Sequence, residues 1–218
     1  MEQYFPILAT MPLFHGITGE GFTHVLRCLE AFVVTAEKGQ VLYRNQEQVE
    51  YGMIVLDGSL HALLLNSNGG EHRICEFGVG QLIGGAYACV PEQEIPVQTQ
   101  AIKDSTLLYV KLSNLLNDTS IGGPYASRVT VNLLRHIAMA NVFQVRKIHI
   151  LTQKKIRDKL LMYLESIGAR KRSVLLPFNR QELADYLGVE RSALSREMSY
   201  MQEEGVLEYH KNTLRLLQ

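Results

Sequence analysis

Five side chains in the last part of the sequence could do recognition chemistry together: Arg191, Ser192, Ser195, Arg196 and Ser199. At helical spacing they share one face. A guanidinium can donate to both acceptors on a guanine edge, and a serine hydroxyl adapts to several bases. Neither type suits a helix face packed on protein, so the pattern points to reading a DNA duplex rather than to making or breaking bonds. Arg180 and Gln181 open a preceding helix and suit contacts to the phosphate backbone better than contacts to bases.

The segment from Asn179 to Gly205 positions these groups. Asn179 can cap a first helix, with Glu182 where a capping-box partner belongs. Leu183, Ala184 and Leu187 form its apolar stripe, and Gly188 supplies the positive φ of a helix stop. A second helix starts at Glu190, buries Leu194, Met198 and Met201, and ends at Gly205. An ordinary helical hairpin with a solvated face is the alternative. A small Ala184, a turn Gly188 and an apolar Leu194 in register favour a helix-turn-helix, whose second helix enters the major groove.

The formal net charge of zero conceals a division. Residues 1–145 carry 8 basic and 13 acidic side chains, whereas residues 146–218 carry 14 and 9. That asymmetry is expected when only the C-terminal part faces phosphates. No leader pattern or membrane-spanning run is present in the sequence, which predicts a cytoplasmic protein. The three cysteines, Cys28, Cys75 and Cys89, lack a Cys-x-x-Cys pair and signal neither a disulfide framework nor a zinc site.

Upstream, residues 12–30 predict an amphipathic helical lead-in with Thr18 as its cap. From Phe32 to Val110 the period shortens, with glycines at turn intervals, including Gly58, Gly69-Gly70, Gly78 and Gly84-Gly85. Strands are predicted at 31–37, 41–44, 52–57, 59–66, 71–77, 95–102 and 105–111. So many short strands without helices between them imply an antiparallel jelly roll. After Gly122-Gly123, Pro124 opens a long helix. Val131, Leu134, Ala138, Asn141, Val145 and Ile148 recur along it at steps of three and four, a seam that predicts pairing with a second copy. A second stripe, Leu133, Ile137 and Ala140, is left to pack on the roll. A break near Leu151-Thr152 precedes a helix bearing Ile156, Leu160, Leu161 and Leu164 and ending at Gly168. Then come a basic loop with Arg170, Lys171 and Arg172, a strand at 174–178, and a hairpin of 206–209 and 213–217 around His210-Lys211-Asn212, the wing of a winged helix-turn-helix.

A jelly roll could also be a cupin-like metalloenzyme, but His61 and His72 are the only histidines in it and lack His-x-His spacing. No metal site is predicted. Neither a Gly-x-Ser-x-Gly elbow nor a phosphate loop or dinucleotide fingerprint occurs. The chain is therefore read as no enzyme.

Roll, long helix, hinge and winged helix in this order resemble the Crp/Fnr family of bacterial transcription regulators over essentially the whole chain. The residues carrying the resemblance are Lys38-Gly39-Gln40-Val41-Leu42, Val55 to Leu60, Gly80 to Gly85, Asn179 to Leu187 and Arg191 to Arg196. The resemblance implies an α+β chain with an effector-binding roll (1–122), a dimerisation helix (123–151) and a DNA-binding winged helix-turn-helix (152–218). It implies a homodimer on a two-fold operator in double-stranded DNA, with RNA polymerase as a further partner. It places a small effector in the roll, against Gly84, Gly85, Ala86, Tyr87, Ala88, Cys89, Val97, Gln98 and Thr99, closed by the long helix near Asn141.

Departures from the family pattern shape the expected ligand. The glutamate and Arg-Ser or Arg-Thr pair of cyclic-AMP-binding members are replaced here by Gly85 and by Ile95-Pro96, so no cation meets a phosphate and cyclic AMP is not expected. No cysteine precedes Cys28, so an oxygen-sensing iron-sulfur cluster is not expected either. The lone His72 leaves haem open. A glutamate common in the family's recognition helix is replaced by Ser192, which implies an altered operator. Two alternatives stand beside the effector-controlled regulator: constitutive DNA binding, and thiol redox control through Cys89.

Overall fold

The computed structural model describes residues 1–65, 71–117, 123–170 and 172–217. The expected turn at Gly69-Gly70, Gly122, Lys171 and the side chain of His72 lie outside the described residues. The chain divides into two compact units, Met1–Ala138 and Met139–Gln218.

The first unit opens with single 3-10 turns at Glu2–Tyr4 and Pro12–Phe14 flanking helix α1 (Phe5–Thr10), then α2 (Glu20–Cys28). The lead-in is thus broken, because Gly16 and Gly19 both take positive φ between Phe14 and Glu20. Thr18 is not the cap: Gly19 occupies that position, with no side-chain cap bond, and Thr18 only accepts the Gly21 N–H through its carbonyl.

Among the described residues the strands that follow are β1 (Phe32–Ala36), β2 (Val41–Tyr43), β3 (Glu47–Gln48), β4 (Gly52–Asp57), β5 (Leu60–Leu65), β6 (Glu71–Phe77), β7 (Leu82–Ile83), β8 (Glu94–Ile95), β9 (Gln98–Ala101) and β10 (Ser105–Val110). They pair antiparallel into sheets ordered β1-β10-β4-β7 and β2-β9-β5-β6, with a small β3-β8 ribbon. The strand expected over 95–102 is two strands, since Pro96 has no N–H to give a ladder. β4 reads Gly-Met-Ile-Val-Leu-Asp and is buried on both faces. Met53, Val55 and Leu107 fill the roll interior, whereas Ile54, Leu56, Leu108 and Val110 pack outward under α1 and α2 with Leu8, Phe14, Phe22 and Leu26.

Two short helices punctuate the roll, α3 (Gly85–Cys89) and α4 (Asn114–Asn117), and the long α5 (Gly123–Leu151) leaves it. α5 holds the first unit through Ala126, Val129, Leu133 and Ile137. Ala140, expected in that stripe, is exposed. Asn132 does what the apolar pattern could not announce: it is 5% exposed, and its Nδ2 donates to the carbonyls of Leu13 at 3.0 Å and His15 at 2.9 Å.

The second unit contains the end of α5, then α6 (Ile156–Ser166), β11 (Val174–Leu175), α7 (Arg180–Leu187), α8 (Arg191–Glu203), β12 (Leu207–His210) and β13 (Thr213–Leu216). Its core joins Ile150, Leu160, Tyr163 and Leu164 to Leu183, Ala184, Leu187, Leu194, Met198 and Met201. The strand expected over 174–178 ends at Leu175, just ahead of Pro177. The sheet order β11-β13-β12 frames the two central helices as a wing. An antiparallel roll, a long helix and a winged helix-turn-helix are therefore the architecture of the chain.

Candidate nucleic-acid interface

α7 starts on a complete capping box. Asn179 accepts the N–H groups of Gln181 and Glu182 at 2.9 and 3.0 Å, and Glu182 accepts the Asn179 N–H at 2.7 Å. It ends on Gly188, which lies in the left-handed region at φ 60° with a notional Cβ only 3.2 Å from Leu151 Cδ2. A side chain there would meet both backbone strain and a neighbour. Two lysines satisfy carbonyls that the helix end leaves unpaired: Lys159 Nζ donates to Leu187 O at 3.1 Å, and Lys147 donates to Tyr186 O. Lys147 also sits over the Tyr186 ring, 3.1 Å from its centroid. Cations at a helix C-terminus oppose the negative end of its dipole. Burial, with Lys159 nearby, pulls the Lys147 amine down to about 8.

From the Gly188 turn, α8 presents Arg191, Ser192, Arg196 and Ser199 as exposed side chains, and Ser195 half-buried. Among the described residues neither Arg191 nor Arg196 has a carboxylate at ion-pair distance. Glu197 of this helix and Glu204 at its C-cap are held from outside it. Arg157 of α6 donates to Glu197 at 2.7 Å and to both oxygens of Glu204 at 2.7 and 3.0 Å. These contacts raise the Arg157 guanidinium further and hold the Glu204 carboxyl below its usual range. The outcome is a helix with Glu197, and Glu204 just past its end, paired toward α6 while its guanidinium groups remain available.

Other expected contact residues are placed differently. Arg180 is turned inward, bonded to Met198 Sδ and 5.1 Å from the Tyr209 ring centroid, and burial lowers its guanidinium. It braces the wing against α8. Gln181 is exposed but donates to Asp185 at 2.9 Å. Ser192 donates to Glu190, and Ser199 to the Ser195 carbonyl at 3.2 Å. Tyr200, four residues after Arg196 and half exposed on the same face, was missed by sequence reasoning because its residue type, not its spacing, reads as core. At the wing tip Lys211 is exposed and takes a φ of 53°.

The expected pocket residues in the roll are not one surface. Gly85 to Cys89 is helical, so its side chains fan out at about 100° per residue, with Gly84 as the left-handed cap before it. Tyr87 and Val97 pack on the interior core with Tyr43 and Leu60, whereas Ala88 and Cys89 pack outward against the core under the N-terminal helices. Ala86 is exposed, and Gln98 is half-buried. Gly85 is close-packed: a Cβ there would stand 2.6 Å from Leu82 Cδ2. Thr99 is fully buried. Asn141 is exposed on the part of α5 that belongs to the second unit. The grouping therefore reduces to Gly84, Tyr87, Val97 and Thr99, with Tyr43 as a member not foreseen.

An antiparallel roll followed by a long helix and a winged helix-turn-helix defines a class of DNA-binding regulator. Family models agree at both ends: Cyclic nucleotide-binding domain over residues 33–117, and Crp-like helix-turn-helix domain over residues 158–218. The transcriptional activator protein FnrA of Stutzerimonas stutzeri is 24% identical over 190 residues, covering 83% of this chain and 75% of that one. The structure of the c-di-GMP-responsive global regulator CLP of Xanthomonas campestris shares the fold at a TM-score of 0.57 and 18% identity, over 91% of this chain and 98% of CLP. The N-terminal domain of a transcriptional regulator from Streptomyces coelicolor A3(2) aligns at a TM-score of 0.52 and 18% identity, over 62% of this chain and 94% of that domain. The chain belongs to the Crp/Fnr family: it is a transcription regulator with a DNA-binding helix-turn-helix and a cyclic-nucleotide-binding-like roll. No helix among the described residues is long and apolar enough to cross a membrane.

Proposed function

We propose that the chain acts as a homodimer that reads a two-fold operator through α8 under the control of a small effector other than cyclic AMP. The observation that carries the DNA half is the pair of exposed guanidinium groups, Arg191 and Arg196, with no ion-pair partner among the described residues, on a helix whose Glu197 and following Glu204 are drawn to Arg157. Arg196 and Arg191 are the base readers, Ser192 and Ser195 the adaptable contacts. Arg180 serves the interface by bracing rather than by touching phosphate.

Dimerisation is supported by the seam on α5. Val131 is 48% exposed, Leu134 67%, Val145 58% and Ile148 59%, an apolar strip that water would otherwise cover. Asn141 is the polar member that would fix register, and members of the family typically dimerise. Control by a ligand without a phosphate is supported by a roll in which Ile95 is buried where cyclic-AMP-binding members place arginine. Thiol control is not favoured: burial pushes the Cys89 thiol up, away from the thiolate a sensor needs.

The test is binding of R196A and R191A to a selected operator and to random duplex. Each substitution is expected to remove roughly 1–3 kcal/mol of discrimination. Equal losses on both DNAs would reduce these residues to phosphate contacts.

A further inference from the structure

We propose that Lys147, with Leu151, is a positioning residue for DNA reading: it fastens the last turns of α5 to the end of α7, so that the pairing of two α5 helices directly sets the spacing of the two recognition helices. The proposal rests on the reading that the chain dimerises through the α5 seam.

The two compact units divide within α5, between Ala138 and Met139, so the tail of that helix belongs with the winged unit. Ile150, Leu151 and Lys147 hold it there. Ile150 is buried in one core with Leu160, Leu183 and Leu187. Leu151 lies against the turn that joins α7 to α8, its Cδ2 3.2 Å from where a Cβ on Gly188 would stand. Lys147 donates to the Tyr186 carbonyl, and its Nζ is 3.1 Å from the centroid of the Tyr186 ring. At helical spacing these three residues share one side of α5, and Asn141, Val145 and Ile148, the exposed lower part of the seam, lie on the other. The turns that carry the seam therefore also carry the clamp on α7.

A lysine suits this place because its ammonium meets two attractions at once, the negative end of the α7 dipole and the face of an aromatic ring. What it grips is itself held: the Tyr186 ring packs on Tyr163 and Phe178 at centroid distances of 5.1 and 5.2 Å. α7 and α8 share the core of Leu183, Leu187, Leu194 and Met198, so an α7 held by α5 holds α8 too. The exit from α5 is also tied, since Thr152 Oγ1 and Gln153 Nε2 donate to the His149 carbonyl at 2.9 and 3.1 Å. The break near Leu151-Thr152 is a fastened corner rather than a loose hinge. Lys159 supplies a natural control: it caps the neighbouring Leu187 carbonyl at 3.1 Å, but from α6.

The experiment compares the full chain with its K147M, K147R and K159M variants on a selected inverted-repeat operator, on the same operator with one base pair inserted between its halves, and on a single half-site. Melting and sedimentation of each protein are followed in parallel. The wild type is expected to bind the lengthened operator about tenfold more weakly than the selected one, K147M to bind the two within about twofold of each other, and both proteins to bind the half-site equally. K147R keeps the spacing preference, and K159M keeps it while melting lower. If K147M does not fold, L151A carries the same comparison. A K147M or L151A protein that retains the wild-type preference, or that loses half-site and operator affinity in equal measure, overturns the proposal. So does K159M losing the preference as K147M does, because any cap on α7 would then serve. A wild type that sediments as a monomer or shows no spacing preference overturns the dimer reading itself, and this proposal with it.

Discussion

Arg157 makes the recognition helix usable without standing on it. By bonding Glu197 and Glu204 it neutralises two carboxylates that would otherwise raise the negative potential beside a phosphate backbone. The Glu204 carboxyl is held low, so between that lowered value and its ordinary 4.5 the unfolded chain binds more protons than the folded one. Its contribution is present above 4.5 and is lost as pH falls through the lowered value. R157M is therefore expected to melt below the wild type at neutral pH, with the difference closing in acid; melting curves at pH 7 and pH 3 with the same gap would contradict this. Local residue signals were legible in the sequence, since Asn179 and its Glu182 partner are three positions apart. The Arg157 contacts were not, because their partners lie 40 and 47 residues away and surface charges carry no periodic mark. The inward turn of Arg180 was missed for the same reason: only the folded wing brings Tyr209 to it.

Among the elements, α5 has separate tasks for its faces. Leu133 and Val129 are buried in the first unit and Ile150 in the second, while Leu134, Val145 and Ile148 remain exposed in a stripe. L134E would place a charge in the middle of any interface built on that stripe, where an unpaired carboxylate is strongly disfavoured. The variant is expected to sediment as a monomer and bind operator much more weakly; an unchanged dimer would put the interface elsewhere. The stripe was legible because steps of three and four persist over many turns. Asn132 was not, since a polar residue on a buried helix face has no signature until its carbonyl partners are known. α3 was hidden in a similar way: Gly-Gly before Ala-Tyr-Ala-Cys reads as a turn, and the helix exists because Gly84 adopts a left-handed φ of 68° at its cap.

Over the whole molecule, acidic excess in residues 1–145 and basic excess in residues 146–218 assign phosphate contact to the winged unit. The order of roll, long helix and winged helix-turn-helix was readable from hydrophobic period alone, because period two with frequent glycines gives way to period 3.6 near Gly123. The short β3 and β7 were not readable, having two residues each and no room for alternation. The central claim is that a dimer reads a two-fold site with two copies of α8. Hydroxyl-radical footprinting of the wild type on an operator selected from a random pool tests it most directly. Two inverted half-sites protected about one helical turn apart, roughly 10 base pairs, are expected. A single protected patch, or no enriched sequence, would contradict the account.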